Sequence, residues 1–277
     1  MLKSDLINPC IKVIALLLVL VGTIQAKESQ GTGEVLTDLE DPVSLVETYM
    51  NYKKFSKKYK CNIQVNKDSR YCVKVEHAIS VREDNKSYIY ATENGFALDE
   101  KNQRQEGHAG GGYVKLLKFQ FMGDHKVKLV AKSDPIVCGS FGYPCEDNFY
   151  KIGAGPEMGW VLNTGFMNQG IMDNSIMIYA LVNSKIDQVL GTPIEHNNSN
   201  TVGFLSDKRY DAIFTKITTL PSSTGRFSDL DAWVTSTKPK SKKIKQIDFH
   251  KVLKFDPKTN YYDTSEIEKF YNLTDDK

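Results

Sequence analysis

Long apolar runs are scarce in this sequence, and none is long enough to cross a lipid bilayer. The longest covers residues 13–21 and ends at Ile24 even when stretched, whereas a membrane-spanning helix needs about 20 apolar residues. A basic lead precedes this run, and small residues ending at Ala26 follow it. That order predicts a signal peptide over residues 1–26 and no stable transmembrane span after its removal. Retention as an N-terminal anchor is the alternative, because Ile24 is larger than cleavage sites prefer.

The chain also lacks an excess of charge of either sign. It carries 36 Lys and Arg against 34 Asp and Glu, which gives a net charge of +2. Proteins that bind nucleic acid usually combine a strong basic excess with a recognisable motif. Neither feature is present, so we predict no nucleic acid partner.

Cysteine is rare as well, with five residues in the whole chain. Cys10 falls within the predicted signal peptide, and four cysteines remain in the processed protein. An even number in an exported chain indicates disulfides, and a periplasmic or secreted location follows. Of three connectivities we favour the local one, because both loops are short and rich in turn residues. A zinc site would need closer pairs. The predicted disulfides are Cys61–Cys72 and Cys138–Cys145.

Established catalytic and cofactor motifs are missing too. Ser140 lies in a Gly-Ser-Phe-Gly segment that lacks the spacing of a nucleophile elbow. The glycine-rich segment 107–112 lacks the Lys-Ser/Thr pair of a phosphate loop. The histidines do not occur at metal-ligand spacing. We therefore predict neither a cofactor nor a metal site. The histidines of the mature chain are His77, His108, His125, His196 and His250.

The remaining sequence divides into a polar leader and one folded region. Residues 27–40 are polar and lack aromatic anchors, so we predict a flexible leader. Residues 41–277 are predicted to form a single β-rich domain. It begins with an amphipathic helix over 41–59, for which Asp41 is the N-cap and the next residue is a first-turn proline. Its serine-, glycine- and proline-containing segment 220–243 is predicted to be a long surface loop.

Short β-branched and aromatic runs separated by turn residues fill most of this domain. Such runs flank Gly123-Asp124, Asn183-Ser184 and Asp256-Pro257, a pattern typical of β-hairpins. The predicted fold is mainly β with minor α. It consists of an antiparallel sheet, either sandwich-like or a highly curved meander of hairpins, with the N-terminal helix packed on it.

Glycine and aromatic residues concentrate around the second predicted disulfide. Seven of the 19 glycines lie within residues 138–170. Glycine permits unusual backbone geometry, and aromatic side chains beside carboxylates suit a peptide or sugar ligand. The sequence therefore predicts an exported, non-enzymatic binding protein that recognises a partner protein or a cell-envelope polymer through these loops. The predicted binding residues are Phe141, Tyr143, Asp147, Glu157 and Trp160.

Three other interpretations of the same segment stay open. Glu146, Asp147 and Glu157 are carboxylates that a glycoside or peptide hydrolase of the envelope would need. A structural surface component would instead expose an apolar patch or an open sheet edge. The third alternative is a set of tight turns around a disulfide with the aromatic side chains in the core.

Overall fold

Two seven-stranded antiparallel sheets make up most of the described structure. The structure is a computed structural model and describes residues 41–66, 69–105, 111–140, 142–153, 157–168, 171–198, 212–223, 225–240 and 243–275. The predicted signal peptide, residues 1–26, and the predicted leader, residues 27–40, lie outside these ranges.

The first sheet, sheet A, is a meander in which sequential strands are neighbours. The pairing order is β1 to β6, and β7 pairs with the other end of β5. Its strands are β1 (Phe55–Ser56), β2 (Cys61–Asn66), β3 (Ser69–Glu83), β4 (Lys86–Leu98), β5 (Gly112–Phe121), β6 (Val127–Lys132) and β7 (Ile136–Cys138).

The second sheet, sheet B, repeats this plan from β8 to β14 without a crossover among the described strands. Its strands are β8 (Glu146–Lys151), β9 (Met158–Asn168), β10 (Ile171–Val182), β11 (Lys185–Asn197), β12 (Ala212–Leu220), β13 (Asp229–Lys240) and β14 (Lys243–Leu253). A small hairpin of β15 (Phe255–Asp256) and β16 (Tyr261–Tyr262) follows. The helices are α1 (Pro42–Met50) and α2 (Ser265–Asp275). The predicted fold class, mainly β with minor α, is confirmed.

Turn residues with left-handed backbone connect the predicted hairpins. Gly123 and Asp124 have φ of 82° and 48° between β5 and β6. Asn183 and Ser184 have φ of 49° and 66° between β10 and β11. Positive φ at such positions matches the twist of antiparallel strands. The third predicted turn, at Asp256, joins β15 to β16, while residues 247–253 belong to β14.

The inner faces of the two sheets share one hydrophobic cluster, so the fold is a sandwich of two meanders. Tyr90 and Leu116 of sheet A pack in this cluster with Trp160 and Leu162 of sheet B. The Trp160 indole N–H also donates to the backbone carbonyl of Ala91, at 3.1 Å. This hydrogen bond satisfies the polar edge of a ring that is otherwise surrounded by apolar atoms.

Helix α1 covers the outer face of sheet A and is shorter than the predicted helix over 41–59. The Asp41 carboxylate accepts from the Val43 backbone N–H at 3.0 Å, as expected of the N-cap. The helix ends at Met50 because Asn51 adopts left-handed backbone, with φ of 46°. Tyr59, which continues the apolar spacing of the predicted helix, lies outside α1 and packs on Phe96 of β4.

The predicted surface loop over 220–243 is wrong for most of its length. Residues 229–240 form β13, which pairs with β12 and with β14. Leu230, Ala232 and Val234 alternate into a buried cluster with α2. Asp231 and Trp233 occupy the intervening positions on the opposite face of the strand. The serine, glycine and proline residues on either side of this short alternation conceal it in the sequence.

The four cysteines of the described region lie in the predicted pairs. The Cα atoms are 5.5 Å apart for Cys61 and Cys72, and 5.2 Å apart for Cys138 and Cys145. Both separations are in the range of a disulfide. Among the described residues, no helix combines the length and apolar character that a membrane span requires.

Candidate functional site

The structure places the predicted binding residues in different environments. Tyr143 is 60% exposed. Trp160 is fully buried in the cluster between the sheets and is therefore not accessible to a surface partner. Asp147 and Glu157 are residues of intermediate exposure, although the Asp147 side chain itself is buried. Phe141 lies outside the described residues. Of the predicted aromatic residues that are described, Tyr143 alone offers its ring to solvent.

The Tyr143 ring is held in place by an arginine. The Arg104 guanidinium lies 3.6 Å from the centre of the Tyr143 ring and 4.7 Å from the centre of the Phe96 ring. Stacking of a guanidinium between two aromatic rings combines cation–π attraction with dispersion. The tyrosine is thereby fixed at the surface instead of moving freely.

Two glycines bring the Tyr143 loop close to sheet A. The Gly112 N–H donates to the Tyr143 carbonyl at 2.8 Å. A Cβ at Gly112 would overlap the backbone of Pro144, so only glycine allows this approach. Gly139 has φ of +87°, a conformation that other residues rarely adopt. The glycines around Cys138 and Cys145 therefore allow the backbone conformation of this loop and its close contact with sheet A.

An exposed valine extends this region along a sheet edge. Val137 of β7 is 72% exposed and is the register partner of Tyr113 on β5. Cys138, the next residue, pairs with Gly112, which binds the Tyr143 carbonyl. In the described residues β7 pairs only with β5. We call Arg104, Val137 and Tyr143 the loop surface.

Asp147 connects the two sheets. One carboxylate oxygen accepts from the Thr92 hydroxyl and lies 3.0 Å from His77 Nδ1. The other accepts from the Asn94 amide at 2.8 Å. These partners lie on β3 and β4, whereas Asp147 lies on β8. The carboxylate therefore stabilises the sandwich and has little capacity left for a ligand.

A buried charged cluster occupies the space between the sheets. Lys118 Nζ donates to Glu83 and to the Tyr90 hydroxyl, both at 2.7 Å, and the Tyr90 hydroxyl donates to Glu83. Burial, with the Glu83 charge beside it, raises the pKa of Tyr90. The phenol therefore stays protonated and able to donate. We call Glu83, Tyr90 and Lys118 the inner cluster.

Glu157 lies at the margin of the inner cluster. Burial raises the pKa of its carboxyl group, as does the Glu83 charge, whereas Arg226 and Lys118 oppose the shift. Sequence reasoning selected Glu157 but missed Glu83 and Lys118. The available signal was the alternation of β5, because Lys118 follows Val114 and Leu116 at inward-facing positions.

A second buried carboxylate was also missed. Glu93 is fully buried on the outer side of sheet A. It accepts from Tyr52, from Gln64 at 3.1 Å and from Tyr113 at 3.0 Å. Burial, together with the Glu93 charge, raises the pKa of Tyr52 and of Tyr113. Within the described ranges, no group of three or more His, Cys, Asp or Glu residues is arranged to hold a metal ion.

These features define a class, a two-sheet antiparallel β protein with two cysteine pairs and an exposed tyrosine stacked on an arginine. No family model matches the chain, and comparisons with curated proteins and with solved structures find no match either.

Proposed function

We propose that this chain is an exported, non-enzymatic binding protein whose loop surface recognises a partner protein. The observation that carries the proposal is the Tyr143 ring, which is exposed and is held by the Arg104 guanidinium at 3.6 Å on a loop closed by a cysteine pair.

Preorganisation is the physical reason why this arrangement suits a protein partner. Tyrosine and arginine are enriched among the residues that contribute most to protein–protein affinity. A side chain that is already ordered loses less conformational entropy on binding. In the part of the chain that the structure describes, the other side of β7 beside Val137 has no strand partner, so its backbone groups can bind an extended partner segment.

Export is supported by the two cysteine pairs, because disulfides persist mainly outside the reducing cytosol. We expect peptide mapping of natively expressed protein, without reduction, to recover Cys61 linked to Cys72 and Cys138 linked to Cys145. Free thiols at these positions would contradict export.

Capture from an envelope extract tests the binding surface. The unmodified protein should retain a partner that Tyr143→Ala and Arg104→Ala lose, with an unchanged thermal transition in each variant. Trp233→Ala is the matched control, because it removes another exposed aromatic side chain on β13. Equal capture by Tyr143→Ala would refute the site. Treating the extract with protease separates a protein partner, which is lost, from an envelope polymer, which persists.

A hydrolase is the second candidate, and the raised pKa of Glu157 beside Glu83 favours it. A carboxyl group whose pKa is raised is suited to act as a general acid. This candidate cannot take its second carboxylate from Asp147 or Glu83, because the oxygens of both already accept hydrogen bonds within the sandwich. It requires hydrolysis of a polysaccharide or peptide substrate by the unmodified protein, and loss of that activity in a folded Glu157→Gln variant.

A further inference from the structure

The chain contains two tryptophans in opposite environments. Trp160 is fully buried, whereas Trp233 on β13 is 47% exposed. An exposed indole is a large apolar surface that water solvates poorly, and tryptophan is common where proteins contact ligands. No part of the proposed function uses Trp233.

The exposed indole is locked in position by two polar neighbours. Its N–H donates to an Asp231 carboxylate oxygen at 2.9 Å. The His250 imidazole stacks on it with ring centres 4.0 Å apart and planes 18° apart, and its Nε2 contacts the other Asp231 oxygen. We call Asp231, Trp233 and His250 the outer cluster. Its hydrogen bonds fix the ring before any ligand arrives.

Strand register shows what lies on either side of the indole. His250 on β14 and Lys216 on β12 are the two register partners of Trp233. His250 stacks on the side towards β14, and among the described residues no ring stacks on the side towards β12. Exposed Lys216 lies there, with Phe214, 40% exposed, as the diagonal neighbour. An indole, a phenyl ring and a lysine side chain are thus neighbours on the face opposite α2, and we call Phe214, Lys216 and Trp233 the indole surface.

We propose that the indole surface binds a saccharide through stacking of a pyranose ring on Trp233. The C–H face of a pyranose is apolar and flat, and it packs on an aromatic face. Its hydroxyl groups lie at the edge of the ring, where Lys216 donates and Asp231 accepts hydrogen bonds.

The polar surroundings of Trp233 favour a sugar over a protein partner. A protein interface needs a desolvated apolar centre with several packed residues. Here the apolar groups are two rings, and polar or charged side chains flank them: Asp231, His250 and Lys216. A ligand with an apolar face and a polar rim satisfies both kinds of group at once.

This site is independent of the loop surface, since the two share no residue. Either binding proposal can therefore be refuted without affecting the other. Tyr143→Ala should leave saccharide binding unchanged, while Trp233→Ala should leave capture of the protein partner unchanged.

Acrylamide quenching of tryptophan fluorescence tests the proposal on the full chain. Only Trp233 is accessible to the quencher, and buried Trp160 is the internal reference. Cellohexaose, N-acetylchitohexaose and hexagalacturonate supply neutral, N-acetylated and acidic pyranose rings. We expect at least one of them to reduce the quenchable fraction, and calorimetry to show that Trp233→Ala loses that binding while its thermal transition is retained.

Three results would overturn the proposal. The first is unchanged quenching with all three saccharides at millimolar concentration. The second is protection of Trp233 that depends on protein concentration without any saccharide, which would assign the indole surface to self-association. Retained binding by the folded Trp233→Ala variant would place the saccharide elsewhere.

Discussion

The inner and outer clusters contain the same kinds of group in different surroundings. Each combines a carboxylate, an aromatic ring that donates a hydrogen bond to it, and a basic side chain. In the inner cluster Lys118 and Glu83 are nearly inaccessible, whereas about half of the His250 side chain is exposed. The comparison teaches that burial, and not the identity of the groups, decides whether such a cluster holds the fold together or remains available to a ligand.

Energetics explain the difference in role. Burying two charges costs several kcal/mol per ion, and their attraction compensates only when every polar atom has a partner. The inner cluster meets this condition, since Lys118, Glu83 and Tyr90 bond one another. An exposed pair is stabilised by roughly 0.2–1 kcal/mol because water screens it.

The largest expected effect is on the inner cluster. Lys118→Met leaves the Glu83 carboxylate buried without its cation, which should lower the free energy of unfolding by about 3–5 kcal/mol. Urea denaturation measures this change. Adding Glu83→Leu should restore most of the loss, because the uncompensated charge is then removed. His250→Ala in the outer cluster, at roughly 0.2–1 kcal/mol, is the control. Similar losses in both clusters would refute the comparison.

The two tryptophans test the same comparison between buried and exposed positions. Trp160→Phe removes the indole N–H that donates to the Ala91 carbonyl and makes a fully buried side chain smaller, which together should cost about 1–3 kcal/mol. Trp233→Phe should change stability by no more than about 0.5 kcal/mol, because an exposed residue loses little. Thermal and urea unfolding of the two variants measure the contrast, and equal effects would show that Trp160 is not a core residue.

A smaller effect is expected at Glu157. The pKa of the Glu157 carboxyl group is raised in the folded state. Its contribution to stability is therefore complete when the pH is below the pKa of the unfolded chain, and it is lost as the pH rises through the folded-state pKa. Glu157→Gln should therefore raise the melting temperature at neutral pH. The gain should disappear below pH ~4, where the carboxyl group is protonated in both states. A gain that persists in acid would exclude charge burial as its cause.

The smallest effect is expected at Asp231, and it has the opposite sign. Desolvation alone would raise the pKa of this carboxyl group, but hydrogen bonds from Trp233 and His250 prevail and lower it. Its contribution is present above the unfolded pKa and is lost as pH falls through the lowered folded pKa. Asp231→Asn should thus cost less than about 1 kcal/mol at neutral pH and nothing in strong acid. Melting curves across this range measure the difference.

Local features of the fold could be predicted because neighbouring residues determine them. Asp41 starts α1, and Asn183-Ser184 turns a hairpin, through backbone preferences that need no distant contact. The end of α1 at Met50 could not be predicted, since the apolar spacing continued past it. Strand β13 could not be predicted either, because serine, glycine and proline residues flank its short apolar alternation.

The candidate site was only partly predictable for the same reason. Tyr143 follows from the glycine and cysteine pattern of its own loop. Its partner Arg104 does not, because the contact joins segments far apart in the chain. The buried position of Trp160 depends on how sheet B packs on sheet A, which no short segment specifies.

The sequence by itself determined the fold class, the start of α1, two hairpin turns and the cysteine pairing, because these depend on local backbone preferences and short loops. Only the tertiary structure decided that Lys118 and Trp160 are buried between the sheets while Trp233 is exposed. The physical reason is that burial is a property of two packed surfaces, so the same aromatic or charged residue becomes core or surface according to what the opposite sheet covers.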